Sequence, residues 1–267
     1  GTIENEWTHI KVSKVDIADG KELSGATIQI LRELQDGEAK DEATKTYVEL
    51  EKKVGEEKVK KTYEVVDQWV SDDKQIHEVE GLLTETEYIL HETVAPDGYT
   101  ITSDTTFQIE KNGVVNSTGT INSDGVMLVQ DAKTRVKVSK VDVTDSHELT
   151  GATIQILKEV TQAQPQDGNE TDGQTQDGNE TQPQTQTQST VQLGGKSYVV
   201  VEEWVSTDKP HEVEGLLTNT TYVLHETVAP DGYTLASDTT FSINEKGTVT
   251  NSGRINPENG AMLVEDR

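Results

Sequence analysis

Short runs of alternating apolar and polar residues recur along the chain, and none carries the three-to-four-residue spacing of a helix. Ile10 to Asp16 reads as a strand that turns at Asp19-Gly20, and Gly25 to Leu31 as a second strand, whose leading glycine is expected to allow a close backbone approach. Val48, Leu50, Val54, Val59, Tyr63 and Val65 predict a long hairpin over 47–66, turning near Gly55. Tyr88, Leu90, Glu92 and Val94 share one phase of a further strand, while Ile89, His91 and Thr93 share the other. Glu92 thus points with the larger apolar set. Burying an ionised carboxylate costs several kcal/mol unless it is paired or protonated. On this stretch alone the ordinary reading is a strand at a sheet edge, where the acid reaches water. Phe107 to Ile109, a turn at Asn112-Gly113 and Val126 to Asp131 complete the series. In the last strand Met127, Val129 and Asp131 share a phase, so a second acid faces the apolar side.

The whole pattern is then written again. His-Glu-Thr-Val-Ala-Pro-Asp-Gly-Tyr-Thr stands unchanged at 91–100 and 225–234, and the first two strands recur from Val136 and Gly151. Tyr222, Leu224, Glu226 and Val228 repeat the phase of Glu92, and Met262, Val264 and Asp266 that of Asp131. The duplication predicts two domains, 1–132 and 133–267. Each has roughly seven or more short strands with frequent turn signals, so the fold class is all-β, two tandem immunoglobulin-like or prealbumin-like β-sandwiches. Gly1 to Thr8 reads as a leader. The copies differ in the middle. The second carries a Gln/Thr/Asp/Gly insertion at about 161–190, followed by a shorter hairpin around Gly194-Gly195. The insertion is too polar to offset its ordering entropy and is expected to be a disordered loop. Its Asp167, Asn169 and Asp172 miss the spacing and closing Glu of a calcium loop.

Composition narrows the function. Hydrophobic residues make up only 31%, which suits two thin β-interiors better than one large core. A formal net charge of −26 argues against nucleic acid as a partner and favours a soluble monomer. The absence of cysteine removes disulfides and thiol chemistry. Nothing resembles a signal peptide, a membrane span or a sorting tail, as expected of a cytosolic protein or an internal piece of a longer one. Trp69 and Trp204 read as packing aromatics, and His77, His91, His211 and His225 as outward strand histidines without a third metal ligand at useful spacing. No metal or cofactor is expected.

The motifs Ile-Lys-x-Ser-Lys-x-Asp, Lys-Glu-Leu-x-Gly-Ala-Thr, Glu-Thr-x-Ala-Pro-Asp-Gly-Tyr and a terminal Met-x-Val-x-Asp resemble those of the Cna B-type, or SpaA-like, domains of Gram-positive pilins and adhesins. The likeness covers both repeats apart from the central hairpins and the insertion. It implies a spontaneous isopeptide bond between a Lys on the first strand and an Asp on the last, promoted by a Glu. Matched by motif, the triads are Lys11, Glu92 and Asp131, then Lys137, Glu226 and Asp266. Alternation alone chooses otherwise, since Lys14 and not Lys11 is in phase with Ile10 and Val12, and by the same rule Lys140 replaces Lys137. The resemblance favours the earlier Lys of each pair.

Burial favours a neutral amine and a protonated Asp, the nucleophile and electrophile of such a condensation, and the Glu relays the proton. The bond would form once per domain, so the chain is not expected to be an enzyme. A cross-link of this span stabilises a domain by about 4–5 kcal/mol through loop-closure entropy. With the short link 132–136, the resemblance implies a stiff stalk segment of an extracellular, cell-wall-anchored adhesin whose partners are neighbouring repeats. The chain lacks a pilin-type Tyr-Pro-Lys motif, which places a monomeric adhesin stalk ahead of a polymerised shaft. A ligand-binding module for matrix protein or glycan, using the variable hairpin or insertion, is the alternative. A hydrolase on a similar sandwich is disfavoured for want of a His-rich constellation.

Overall fold

The computed structural model describes residues 7–160 and 189–267, so most of the leader and most of the insertion, with its Asp167, Asn169 and Asp172, lie outside the described residues. The chain divides into two compact units, one built on the residues up to Arg135 and the other on Val136–Val213, Thr220–Ser242 and Val249–Arg267. No helix occurs among the described residues, and therefore none long and apolar enough to cross a membrane.

The first unit has ten strands: β1 (His9–Asp16), β2 (Thr27–Glu33), β3 (Thr46–Val54), β4 (Glu57–Val70), β5 (His77–Glu80), β6 (Glu87–Val94), β7 (Thr105–Ile109), β8 (Val115–Ser117), β9 (Thr120–Ile121) and β10 (Val126–Asp131). They form a four-stranded sheet in the order β5-β1-β10-β9 and a six-stranded sheet in the order β3-β4-β2-β6-β7-β8. Ile10, Val12, Met127 and Val129 of the smaller sheet pack against Ile28, Ile30, Leu90 and Phe107 of the larger. Each of these is an alternate residue of its strand, which is why a chain this polar still fills a sandwich interior. Within the larger sheet Tyr88 and Phe107 stack with centroids 5.4 Å apart.

One pairing is unlike the rest of its sheet. The first and last strands, β1 and β10, are neighbours and run parallel, whereas β5 and β9 run antiparallel to them. Parallel neighbours cannot be joined by a tight turn, so the whole unit is the crossover between them. In their register Lys14 stands beside Val129 and Asp16 beside Asp131.

The hairpin over 47–66 is β3–β4, turning at Gly55 with φ +64°. The two short strands β8 and β9 were not anticipated, because two or three residues show no alternation. Gly25 differs from its expected role. Beyond its own chain neighbours no atom lies within 4 Å of where its Cβ would stand, so close approach does not explain it, whereas its φ of +94° does.

The second unit repeats the plan with β11 (Arg135–Asp142), β12 (Thr153–Glu159), β13 (Thr190–Leu193), β14 (Lys196–Val205), β15 (His211–Glu214), β16 (Thr221–Val228), β17 (Thr239–Ile243), β18 (Val249–Asn251), β19 (Arg254–Ile255) and β20 (Met262–Asp266). Its sheets run β15-β11-β20-β19 and β13-β14-β12-β16-β17-β18. Here too the first and last strands lie parallel, with Lys140 beside Val264.

Candidate functional site

On β1 the alternation that buries Ile10 and Val12 carries on to Lys14, which is 2% exposed. The same rule on β10 buries Met127, Val129 and Asp131. Because the strands are parallel and in register, Lys14 and Asp131 project from one sheet into one interior, a diagonal step apart. Glu92 reaches the same point from the opposite sheet. The Lys14 Nζ lies 3.0 Å from Glu92 Oε1 and directly against Asp131 Oδ1, with all three side chains essentially inaccessible. The second unit reproduces the arrangement: Lys140 Nζ is 3.0 Å from Glu226 Oε1 and directly against Asp266 Oδ1.

Lys11 and Lys137, assigned by the resemblance, are not in these sites. Lys11 Nζ lies 3.4 Å from Glu78 Oε1 and Lys137 Nζ 3.0 Å from Glu212 Oε1, in side chains about two-fifths exposed. The reason is the strand period, which turns residue 11 away from the face that holds residues 10, 12 and 14. Glu92 corrects the edge-strand reading in turn. Its strand β6 lies between β2 and β7 rather than at a sheet edge, and the Glu92 side chain is shut off from water in the interior. Glu92 stands opposite Ile28, beside a bulge between Thr27 and Ile28. One of its oxygens is held from outside the triad: the Thr102 N–H donates to Glu92 Oε2 at 3.0 Å, and the Ala236 N–H to Glu226 Oε2 at 2.7 Å.

These groups are poorly satisfied as they stand. Lys14 Nζ, Glu92 Oε1 and both Asp131 carboxylate oxygens find no hydrogen bond of acceptable geometry, and the same holds for Lys140, Glu226 and Asp266. Burial therefore works against charge. It pushes the Asp131 carboxyl up to about 7, an effect that Lys14 opposes and Glu92 reinforces. In the second unit burial raises the Glu226 carboxyl, with Asp266 adding to the rise and the Ala236 N–H and Lys140 opposing it. Each site thus holds one carboxyl that burial turns against ionisation, Asp131 in the first unit and Glu226 in the second, next to a second carboxyl and an amine.

The remaining candidates are peripheral. His77 lies flat on Trp69 with centroids 3.9 Å apart and its Nε2 2.7 Å from Asp67 Oδ2, and Trp204 and His211 stack at 4.3 Å. These histidines cover the tryptophans rather than simply facing outward. His91 and His225 pair with Asp104 and Asp238, each at 2.8 Å. Among the described residues Asp142, Asp145 and His147 could surround a cation, but Lys21 occupies the place of His147 in the first copy and His147 is already bonded to Asp145.

Comparison with known proteins agrees with the fold. No curated protein matches the sequence. Among solved structures, a streptococcal ancillary pilin is 21% identical, with a TM-score of 0.33 over 99% of this chain and 63% of its own. The Bacillus anthracis TIE protein is 17% identical, with a TM-score of 0.40 over 98% of this chain and 34% of its own. The shaft pilin SpaA of Lactobacillus rhamnosus GG is 14% identical, with a TM-score of 0.30 over 98% and 97%. The chain thus spans less than two thirds of the first two, and likeness this distant carries no weight beyond itself. The family model for the SpaA prealbumin-like fold domain matches residues 8–123 and again 134–255, nearly the whole of each unit. The chain belongs to the SpaA prealbumin-like domain family, in two tandem copies.

Proposed function

We propose that each unit closes an amide between its first and last strands, Lys14 to Asp131 and Lys140 to Asp266, and that the chain serves as a load-bearing stalk segment of a bacterial surface pilus or adhesin. The observation that carries the reading is the meeting of amine and two carboxyls inside each sandwich, with Lys14 Nζ against Asp131 and 3.0 Å from Glu92.

The neutral Lys14 amine attacks the Asp131 carboxyl carbon, a C–N bond forms, and the carbonyl oxygen takes up the electron pair. Glu92 accepts the amine proton and returns it to the departing hydroxyl, which leaves as water. No oxidation occurs. Protonated Asp131 is the better electrophile, which is what its upward displacement supplies. Fixed geometry supplies the effective concentration that intermolecular amide formation lacks. Condensation also replaces an unsatisfied buried amine and carboxyl with one amide N–H and one carbonyl. Turnover stops at one event per unit, so this is not enzyme catalysis.

The bond would convert two adjacent parallel strands into a covalent strap. Tension entering β1 would leave through β10 without loading the rest of the unit, as a stalk on a Gram-positive cell surface requires. Its partners would be the adjoining domains of the parent protein. Intact mass under denaturing conditions tests the reading: the chain should fall short of its summed residues by two waters, by one in Glu92→Gln or Glu226→Gln, and by none in the double variant. A full residue mass in the unsubstituted chain refutes it.

A further inference from the structure

The decapeptide that carries Glu92 also carries a tyrosine, and the condensation as written does not use it. Tyr99 OH donates to Asp16 Oδ2 at 2.9 Å, and Tyr233 OH to Asp142 Oδ2 at 2.9 Å, so the pair is built twice. Asp16 is 3% exposed and stands at the end of β1, two residues beyond Lys14 and on its face. It is also the register partner of Asp131, whose carbonyl accepts from Ile17 N at 2.8 Å. The other Asp16 oxygen accepts from Ala18 N at 2.7 Å, which fixes the carboxylate towards the tyrosine. Both Asp16 oxygens are thus satisfied, one by the turn and one by the tyrosine, and in the second unit the half-buried Asp142 is held the same way, its Oδ1 accepting from Thr144 N at 2.7 Å.

The connection from Tyr99 to the triad is short. The segment that follows β6 turns at Asp97-Gly98, where Tyr99 N donates to Pro96 O at 3.0 Å, and three residues on it presents the Thr102 N–H to Glu92 Oε2. In the second unit Tyr233 N donates to Pro230 O at 3.0 Å, and Ala236 takes the place of Thr102. One segment therefore grips Glu92 at one end and β1, through Asp16, at the other. Glu92 and Lys14 lie in different sheets; in the first unit the same segment is also tied to the residue after Asp131, Thr100 N donating to Ala132 O at 2.9 Å, so the tyrosine is its link to β1 and the backbone its link to β10.

We infer that Tyr99–Asp16 and Tyr233–Asp142 are positioning pairs for the cross-linking reaction, registering the Glu-bearing strand of one sheet against the Lys and Asp strands of the other. Burial and Asp16 push the Tyr99 hydroxyl up to about 12, so it remains a donor throughout the neutral range. The inference rests on the reaction proposed above and assigns the pair no contact with the reacting atoms.

The experiment follows bond formation in the full chain made by cell-free synthesis, carrying Glu226→Gln so that only the first unit reacts. Samples are quenched in denaturant at intervals and the loss of one water is read by intact mass. Tyr99→Phe and Asp16→Asn are each expected to slow that loss by roughly tenfold to a hundredfold, the scale of a small misplacement of reacting groups. The double variant should be no slower than the slower single one, since the two residues act as one pair. The control is thermal unfolding in a chain that cannot react, Glu92→Gln with Glu226→Gln, where adding Tyr99→Phe should lower the transition by no more than the loss of one hydrogen bond does and leave the unit folded at the temperature of the assay. An unchanged rate overturns the inference, as does slowing that a matching loss of stability in the unreactive chain accounts for. If the Glu226→Gln chain itself loses no water, the proposed reaction fails and the inference falls with it. If that chain reacts and Tyr99→Phe keeps pace, only the positioning role is lost.

Discussion

Lys14 Nζ and Glu92 Oε1 lie 3.0 Å apart although their strands belong to opposite sheets of the first sandwich. A lysine and a glutamate at this depth are tolerated only with a partner, and the nearest one, Asp131, is also the group with which the amine can condense. In the proposed reaction the lysine and aspartate that burden the interior would become its cross-link.

The first prediction separates the two lysines of each pair. Lys14→Arg should abolish the loss of one water from the first unit, because guanidinium is not deprotonated in proteins and cannot act as the nucleophile. Lys11→Arg should leave the loss intact, since that side chain is turned to Glu78 and solvent. Lys140→Arg and Lys137→Arg should divide in the same way. Tandem mass spectrometry of a protease digest identifies the branched peptide directly, and a branch at Lys11 would contradict the geometry.

Which lysine is buried also marks how far the sequence can be read. Alternation through Ile10, Val12 and Lys14 points to the lysine that is buried, while matching by motif points to the earlier, exposed one, because motif spacing carries no statement about faces. Glu92 and Asp131 were legible from phase alone. Their meeting was not, since it depends on the parallel pairing of β1 with β10, a contact between the two ends of the unit that no local pattern records. The Asp16 pairing is hidden in the sequence for a related reason: Asp16 is in phase with Lys14, yet its partner Tyr99 lies in a turn, where periodicity is silent. Edge and centre are equally invisible locally, so Glu92 read as an edge acid although β6 has neighbours on both sides.

A second prediction concerns pH. In Lys14→Met the opposing cation is gone and the Asp131 carboxyl, already pushed to about 7 mainly by burial, goes higher still. An acid raised in the folded state contributes stability that is complete below its unfolded value of 3.8 and is lost as pH rises through the folded value. Lys14→Met should therefore become less stable, relative to Lys14→Met with Asp131→Asn, as pH rises from about 4 to beyond 7. A rise of about three pH units in one buried group corresponds to a difference on the order of 4 kcal/mol. Chemical denaturation of the first unit at several pH values measures it, and a flat difference would contradict the buried, protonated Asp131.

The third prediction tests a backbone position. Gly25 has φ +94° and open space where a Cβ would stand, and Gly151 repeats it at φ +92°. Gly25→Ala should cost about 1–2 kcal/mol through backbone strain alone. A D-alanine placed there by semisynthesis should cost little, because the mirror-image residue accepts positive φ. Both are to be measured by denaturant unfolding in Glu92→Gln, since a closed cross-link would mask the difference. Equal losses for the two enantiomers would point to a steric cause that the open space denies.

The last prediction is mechanical. With Lys14 joined to Asp131, the residues from 15 to 130 lie inside a closed loop and cannot lengthen under tension applied through β1 and β10. Pulled in a single-molecule instrument, the parent chain should show no unfolding step from either unit beyond its short termini. Glu92→Gln, which leaves the first loop open, should release about 400 Å of contour at roughly 3.4 Å per residue. Because β1 and β10 run parallel, force on their outer ends pulls them in shear, loading their ladder of bonds together. The open unit should therefore yield in one cooperative event rather than peeling strand by strand. Release of the full contour by the parent chain would mean that no strap joins the strands.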